Sequence, residues 1–66
     1  MGQRLSAMIA RLRKQQRMTL LQLAQRVGVT EAYMSMLESG TRKNPSLATL
    51  KKLAKALKVT LAELVE

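Results

Sequence analysis

Four glutamates are the only acidic side chains in this chain: Glu31, Glu38, Glu63 and Glu66. There is no aspartate, histidine or cysteine, so neither an imidazole nor a thiol is available as a general base or nucleophile. The glycines lie far apart and form no phosphate-binding loop. We therefore expect no enzymatic activity, and no metal, cofactor or small-molecule ligand.

Lysine and arginine dominate the charged residues. Twelve of them in 66 residues give a formal net charge of +8, which favours a polyanionic partner, either nucleic acid or an acidic membrane surface. A basic surface that only contacts solvent is the simpler alternative. No apolar run approaches the ~18 residues that a membrane-spanning helix needs. The length predicts one small domain covering residues 1–66.

Apolar residues recur at helical spacing along the whole chain, which predicts an all-α fold of five short helices. In the first helix the apolar stripe comprises Leu5, Met8, Ile9 and Leu12. The second helix has Leu20, Leu23, Ala24 and Val27, and the third has Met34 and Leu37. The inward residues of the fourth helix are Leu47, Leu50, Leu53, Ala54 and Leu57, and those of the fifth are Leu61, Leu64 and Val65.

Capping residues predict where the helices begin and end. Thr19 and Gln22 have the spacing of a capping box at the start of the second helix, and Gly28 ends that helix. The third helix runs from Thr30 to about Ser39. Gly40 ends the third helix, and residues 41–45 form a polar loop. Ser46 begins the fourth helix, and Thr60 with Glu63 forms a capping box at the start of the fifth.

The connection between the second and third helices consists only of Gly28 and Val29 before the cap at Thr30. So short a connection forces the two helix axes to cross steeply, which is the helix-turn-helix geometry. Ala24 supports this geometry because its small side chain lets the next helix approach closely. Val29 is expected to fill the turn.

Arg13 and Glu38 are expected to form a salt bridge. Arg13 lies one turn after Ile9 in the first helix, and Glu38 lies one turn after Met34 in the third. Both charges therefore point partly inward, where a charge needs a partner. The alternative is that Arg13 and Glu38 do not contact each other and that each charge is solvated by water.

Nearly the whole chain, from about Leu5 to Val65, resembles the DNA-binding domain of the phage repressor/Cro (XRE-type) helix-turn-helix family. The segments that carry the resemblance are "TLLQLAQRVGVTEAYMSMLESG", "NPSLATLKKLAKAL" and "VTLAELV", in this order and with matching gaps. The resemblance implies a lambda-repressor-like, five-helix domain whose third helix enters the DNA major groove. Family members also carry an Arg–Glu pair at the positions of Arg13 and Glu38.

The resemblance assigns the outward face of the third helix to base reading, at Glu31, Ala32 and Met36. Glu31 could accept a hydrogen bond from cytosine N4, and Ala32 or Met36 could pack on a thymine methyl group. Ser35 could contact either a base or a phosphate. The alternatives are that Glu31 only complements the helix dipole and that Met36 is merely exposed or contacts a second copy.

Phosphate-binding residues are expected around this helix: Thr19, Thr30, Tyr33, Arg42, Lys43 and Asn44. Thr19 and the first amides of the second helix form an anion site. The loop after the third helix contacts backbone phosphates in the family. Leu20 occupies a position where family members often have a phosphate-binding glutamine, so one usual contact is missing.

Arg17 and Lys58 also depart from the family, which commonly has glycine at both positions. If these residues adopt left-handed backbone conformations, each costs on the order of 1 kcal/mol relative to glycine.

The sequence therefore predicts a sequence-specific regulator of transcription that binds double-stranded DNA, represses by occupying an operator, and acts in the cytoplasm at the nucleoid of a bacterial host. We expect no membrane partner and a homodimer on half-sites ~34 Å apart. Leu64 and Val65 are a possible self-association patch, although they also fit a core role. The alternatives are a protein-interaction module, such as an antitoxin-like partner, and a basic membrane-surface binder.

Overall fold

The computed structural model describes residues 2–42 and 44–65, and within these ranges the chain forms five α-helices and no strand. In chain order they are α1 (Gly2–Gln15), α2 (Leu20–Val27), α3 (Glu31–Ser39), α4 (Leu47–Ala56) and α5 (Leu61–Val65). The predicted all-α, five-helix fold is confirmed. In the described part of the chain, no helix is both long enough and apolar enough to cross a membrane.

The helices enclose one hydrophobic core to which each of them contributes. Helix α1 packs against α3 and α5, α2 packs against α3 and α4, and α4 packs against α5. The core residues are Leu5, Ile9, Met18, Leu23, Ala24, Val27, Met34, Leu37, Leu53, Ala54, Leu57 and Leu64. Helix α3 is therefore held by α1 and α2 together, which leaves its opposite side to solvent.

Leu47 does not face inward as the apolar pattern predicted, because its side chain is 57% exposed. It is the first residue of α4, and helical side chains point back toward the N-terminus. The side chain therefore projects beyond the part of α4 that packs on the core. Leu50, one turn later, is partly buried against the core.

Three of the helix connections share one pattern of three residues, at 17–19, 28–30 and 58–60. The first residue has a positive φ: 56° at Arg17, 86° at Gly28 and 60° at Lys58. The second is apolar, and its N–H donates to the carbonyl five residues earlier: Met18 to Arg13 at 3.1 Å, Val29 to Ala24 at 3.0 Å and Val59 to Ala54 at 3.0 Å. The third is a threonine whose hydroxyl accepts the amide three residues later at 3.0 Å.

In this pattern one apolar residue serves two helices. It closes the Schellman-type end of the preceding helix, and it precedes the N-cap of the next one, where an apolar side chain packs against the first turns. Met18 is buried in the core, and Val29 and Val59 are partly buried against it. Each connection is therefore short, hydrogen-bonded and fixed to the core.

Glu63 completes the capping box of α5. The Thr60 N–H donates to Glu63 Oε1 at 2.9 Å, and the Glu63 N–H donates to the Thr60 hydroxyl at 3.0 Å. The hydrogen bonds from the Thr60 backbone and side chain hold the pKa of Glu63 below its ordinary value. The lowered pKa means that this contribution to stability is present above the ordinary pKa and is lost as pH falls through the lowered one.

Replacing Lys58 by glycine should stabilise the domain. Lys58 adopts the left-handed conformation at φ 60°, where a Cβ costs about 1 kcal/mol. Its removal should raise the melting temperature, followed by circular dichroism, by roughly 4–8 °C for a domain of this size. Lys51→Gly, which removes the same charge from the middle of α4, should instead destabilise by about 1 kcal/mol. A fall in melting temperature for Lys58→Gly would contradict the strain argument.

Candidate nucleic-acid interface

The turn between α2 and α3 places α3 at the surface. Gly28 adopts φ 86° and donates its N–H to the Ala24 carbonyl at 2.9 Å. A Cβ at Gly28 would meet no atom within 4 Å, so the backbone conformation, rather than lack of space, favours glycine. Ala24 is fully buried and Val29 is partly buried against the core. The predicted helix-turn-helix is present.

The predicted Arg13–Glu38 salt bridge fixes α3 against α1. Arg13 Nε donates to Glu38 Oε2 at 2.6 Å, and Nη2 donates to Oε1 at 3.1 Å. The third guanidinium nitrogen, Nη1, donates to the Met18 carbonyl at 2.8 Å. The two side chains are only 15% and 13% exposed. One guanidinium therefore joins α1, the connection before α2, and α3.

The outward face of α3 comprises Glu31, Ala32, Ser35 and Met36, all of them exposed. Met34 and Leu37 are buried on the opposite side of the same helix. Because α3 has about 3.6 residues per turn, the exposed positions form one continuous surface. The residues predicted to read bases therefore lie side by side.

This face offers neutral and acceptor groups rather than cations. It contains one carboxylate, one hydroxyl and the apolar side chains of Ala32 and Met36, of which Met36 is 36% exposed. Such groups match base edges: the carboxylate accepts from amino groups, and the apolar groups contact the thymine methyl. They do not neutralise phosphates, so in a complex with nucleic acid that role would belong to other parts of the domain.

Two threonines are placed to contact anions at helix N-termini. The hydroxyl of Thr19 accepts the Gln22 amide, and that of Thr30 accepts the Tyr33 amide, each at 3.0 Å. An accepting hydroxyl keeps its own hydrogen for donation, and both threonines are exposed. The first helical amides add positive potential at the same positions.

Arg42 is held beside the C-terminal end of α3. Its backbone N–H donates to the Met36 carbonyl at 3.1 Å, and its guanidinium carbon lies 5.4 Å from the centre of the Tyr33 ring. This cation–π contact orders the arginine while the side chain stays exposed. Asn44 is also exposed in the loop, whereas Lys43 lies outside the described residues.

Of the two residues in the predicted self-association patch, Leu64 and Val65, only Val65 keeps exposed surface. Leu64 is only 1% exposed and belongs to the core, so it cannot present its side chain to a second copy in this fold. The reason is that α5 directs Leu64 toward the other helices. Val65 is partly buried against the core and keeps some exposure.

Two positioning residues were not predicted. Met18 is buried, and its carbonyl accepts a hydrogen bond from Arg13. Its position just before the Thr19 cap could have indicated that its side chain packs on the core. The Gln16 side-chain amide donates to the Leu57 carbonyl at the end of α4. Nothing in the local sequence indicates that contact, because it joins residues 41 positions apart.

Comparison with known proteins defines the family. A family model described as helix-turn-helix matches residues 9–64. This chain belongs to the XRE-type helix-turn-helix family. This is a family of DNA-binding domains of transcription regulators and not an enzyme class.

Two curated relatives carry regulator names. The HTH-type transcriptional repressor RghR of Bacillus subtilis (strain 168) is 48% identical over 48 residues, which are 73% of this chain and 36% of RghR. The uncharacterized HTH-type transcriptional regulator y4dJ of Sinorhizobium fredii is 45% identical over 56 residues, 85% of this chain and 71% of y4dJ. This XRE-type chain thus spans little more than a third of the length of RghR.

The fold also matches a solved protein–DNA complex. The crystal structure of SinR, described as the master regulator for biofilm formation, in complex with DNA has a TM-score of 0.89 and 31% identity. The match covers 94% of this chain and 98% of the SinR chain. SinR comes from Bacillus subtilis.

Breaking the Arg13–Glu38 pair should destabilise this XRE-type domain strongly. Glu38→Gln leaves the Arg13 charge at a mostly buried site, which should cost about 3 kcal/mol in urea unfolding, the lower end of the range for buried pairs. Glu31→Gln is the matched control, because it removes an exposed carboxylate from the same helix, and it should cost well under 1 kcal/mol. Equal losses for the two variants would show that the pair contributes little.

Proposed function

We propose that this chain is the sequence-specific, double-stranded DNA-binding domain of a transcription regulator that represses by occupying an operator. The observation that carries the proposal is the composition of the exposed α3 face, which contains hydrogen-bonding and apolar groups without a cation. A surface that only binds polyanions would place its cations there. In the cell, the domain would act in the cytoplasm at the nucleoid.

Base reading is assigned to Glu31, Ala32, Ser35 and Met36. Glu31 lies in the first turn of α3, where its carboxylate can accept from the exocyclic amino group of cytosine. Ala32 and Met36 supply apolar contacts for a thymine methyl group, and the Ser35 hydroxyl can donate to or accept from a base or phosphate. These roles predict an operator with both cytosine and thymine in each half-site.

Phosphate binding is assigned to groups at the two ends of α3 and at the start of α2. Thr19 and Thr30 present hydroxyls beside helical amides, and Arg42 presents a guanidinium beside the Tyr33 ring. Asn44, which is exposed in the loop, belongs to the same set, and Lys43 is assigned to it from its place in the sequence alone. Leu20 cannot replace a phosphate-binding glutamine, so more of the affinity would come from the net charge of +8.

The relatives support this proposal. RghR is named a transcriptional repressor, and SinR has been crystallised with DNA. The matched part of SinR covers nearly its whole crystallised chain, so the similarity lies in the domain that was bound to DNA. The extension of these properties to the present chain is our proposal.

We further propose that the domain binds as a homodimer through a groove between α1 and α5. The groove is lined by Met8, Arg11, Leu12, Val59 and Glu63. Arg11 and Glu63 are exposed, while the three apolar residues are partly buried against the core. In the proposed two-fold dimer, Arg11 of one copy would face Glu63 of the other and, by symmetry, the reverse pair would form as well. Val65 lies on the same short helix as Glu63.

The function is tested by selecting bound duplexes from a random pool and then measuring affinity for the selected site. We expect one enriched sequence with two-fold symmetry, and a log affinity that falls with log salt by about 0.9 per phosphate neutralised. Arg42→Ala should lower the affinity for all duplexes by a similar factor, and it should reduce the salt slope by about 0.9, the contribution of one phosphate contact. Binding without any sequence enrichment would contradict the proposal and favour a protein-interaction module.

Replacing thymine by uracil at single positions of the selected site removes only the 5-methyl group and so tests the role of Met36. Loss of one buried methyl group should weaken binding about fourfold. In the Met36→Ala variant the same replacement should have almost no effect, because the methionine side chain that packs on the methyl group has been removed. An unchanged uracil penalty in the variant would assign the thymine contact elsewhere, and Ala32 would be the next residue to test.

Arg11→Glu should weaken self-association, since it places like charges opposite each other across the proposed two-fold interface. Sedimentation at several concentrations should give a monomer for the variant where the original chain dimerises. Lys14→Glu, an equal charge change on α1 outside the groove, is the control and should leave the dimer in place. If the original chain stays monomeric at high concentration without DNA, the solution dimer is excluded.

A further inference from the structure

A second groove lies between α2 and α4, at the C-terminal ends of both helices. Its volume is about 430 Å³. The lining residues are Arg26, Val27, Gly28, Lys52, Lys55 and Ala56. None of them belongs to the α3 face or to the phosphate-binding residues assigned above, so the groove is not explained by the proposed DNA interface.

Three cations surround this groove without a carboxylate partner in the described residues. Arg26, Lys52 and Lys55 are exposed. The one salt bridge found in residues 4–42 and 44–65 joins Arg13 to Glu38, so it neutralises none of the three. Like charges on one small surface repel each other, and an anionic ligand would relieve that repulsion.

Between the cations the groove has an apolar floor. Ala56 is partly buried against the core and keeps some exposed surface, and the Lys52 and Lys55 side chains that line the groove are apolar along their methylene stems. Gly28 adds no side chain, and the space where its Cβ would stand is open within 4 Å. The phosphates of a nucleic acid could pair with the three cations, but only its sugar carbons could contact the apolar surface, whereas an acidic amphipathic peptide offers carboxylates and larger apolar side chains together.

Helix α3 contributes no residue to the lining of this groove. Helix α2 contacts both α3 and α4, while α4 packs on α2 and α5. The groove is lined by residues of α2 and α4 and by Gly28 at the end of α2. A ligand of modest size in the groove would leave the exposed face of α3 accessible to a duplex.

We propose that the groove binds an acidic, amphipathic segment of a partner protein. Its carboxylates pair with Arg26, Lys52 and Lys55, and one apolar side chain packs over Ala56 and the methylene stems of the two lysines. This interaction goes beyond the DNA-binding function, because it gives the domain a second site at which a regulatory protein can bind together with DNA.

The experiment is a titration of the isotope-labelled chain, followed by amide chemical shifts, with a helical peptide of about 16 residues. The peptide has leucine at i, i+3, i+4 and i+7 spacing and glutamate on its other face. We expect the largest shifts at Gly28 and Ala56. A peptide with the same glutamates and glutamine in place of leucine should bind about tenfold more weakly, because it cannot use the apolar floor.

Paired variants separate the groove from general attraction between opposite charges. Lys52→Gln/Lys55→Gln should weaken peptide binding by about tenfold, as expected for removal of two ion pairs. Lys14→Gln/Lys51→Gln removes equal charge outside the groove and should weaken it less than about threefold. Circular dichroism verifies that both variants keep the fold.

Four outcomes would overturn the proposal. Equal weakening in the two double variants would indicate unspecific attraction, as would equal affinity of the leucine and glutamine peptides. Largest shifts at Ala32 and Met36 would place the peptide on the DNA-reading face. A loss of duplex affinity in Lys52→Gln/Lys55→Gln, with no loss for Lys14→Gln/Lys51→Gln, would assign the groove to DNA phosphates.

Discussion

The guanidinium of Arg13 determines where α3 lies relative to the rest of the domain. Its three nitrogens donate to both oxygens of Glu38 and to the Met18 carbonyl, which is the planar, bidentate geometry that arginine offers and lysine does not. The buried residues of α3 are Met34 and Leu37. Tyr33 is also partly buried against the core, and the ion pair adds to this packing a directional contact that restricts rotation of α3 about its axis. The exposed face therefore has a defined orientation.

Helix α3 has nine residues and would not be stable in isolation, so its order depends on its ends and its neighbours. Thr30 caps the start, and Gly40 closes the end in a left-handed conformation. The connection before Thr30 repeats the pattern found before Thr19 and Thr60: a residue of positive φ, a core-facing apolar residue, then threonine. This repetition fixes three of the connections to a small core, because each connecting apolar side chain contributes to the packing of two helices.

Local rules predicted most of this fold from the sequence. Helical periodicity and caps gave the five helices, and the helical wheel gave the Arg13–Glu38 pair. The rules failed where three-dimensional packing decides: Leu47 has apolar spacing but lies beyond the core, and Gln16 bonds to Leu57 across the fold. The repeated connection is hard to recognise from residue types alone because its first position is arginine, glycine or lysine. The left-handed conformation of Arg17 and Lys58 was expected only because the family commonly has glycine at these positions. The α2–α4 groove depends on the relative placement of two helices, which local spacing does not define.

In the proposed function, long-range attraction of DNA and recognition of its bases would come from different surfaces of the domain. The net charge of +8 acts over about 8–10 Å at physiological salt, so the cations on α1, α2 and α4 can attract a polyanion without touching it. Discrimination between bases requires short contacts, and a lysine on the exposed α3 face would bind any phosphate within reach. A face of carboxylate, hydroxyl and apolar groups avoids that competition. In the proposed function, attraction by charge elsewhere would compensate for the lack of a polar side chain at Leu20. A glutamine at that position would bind a single phosphate, whereas the cations attract the duplex from several sides of the domain.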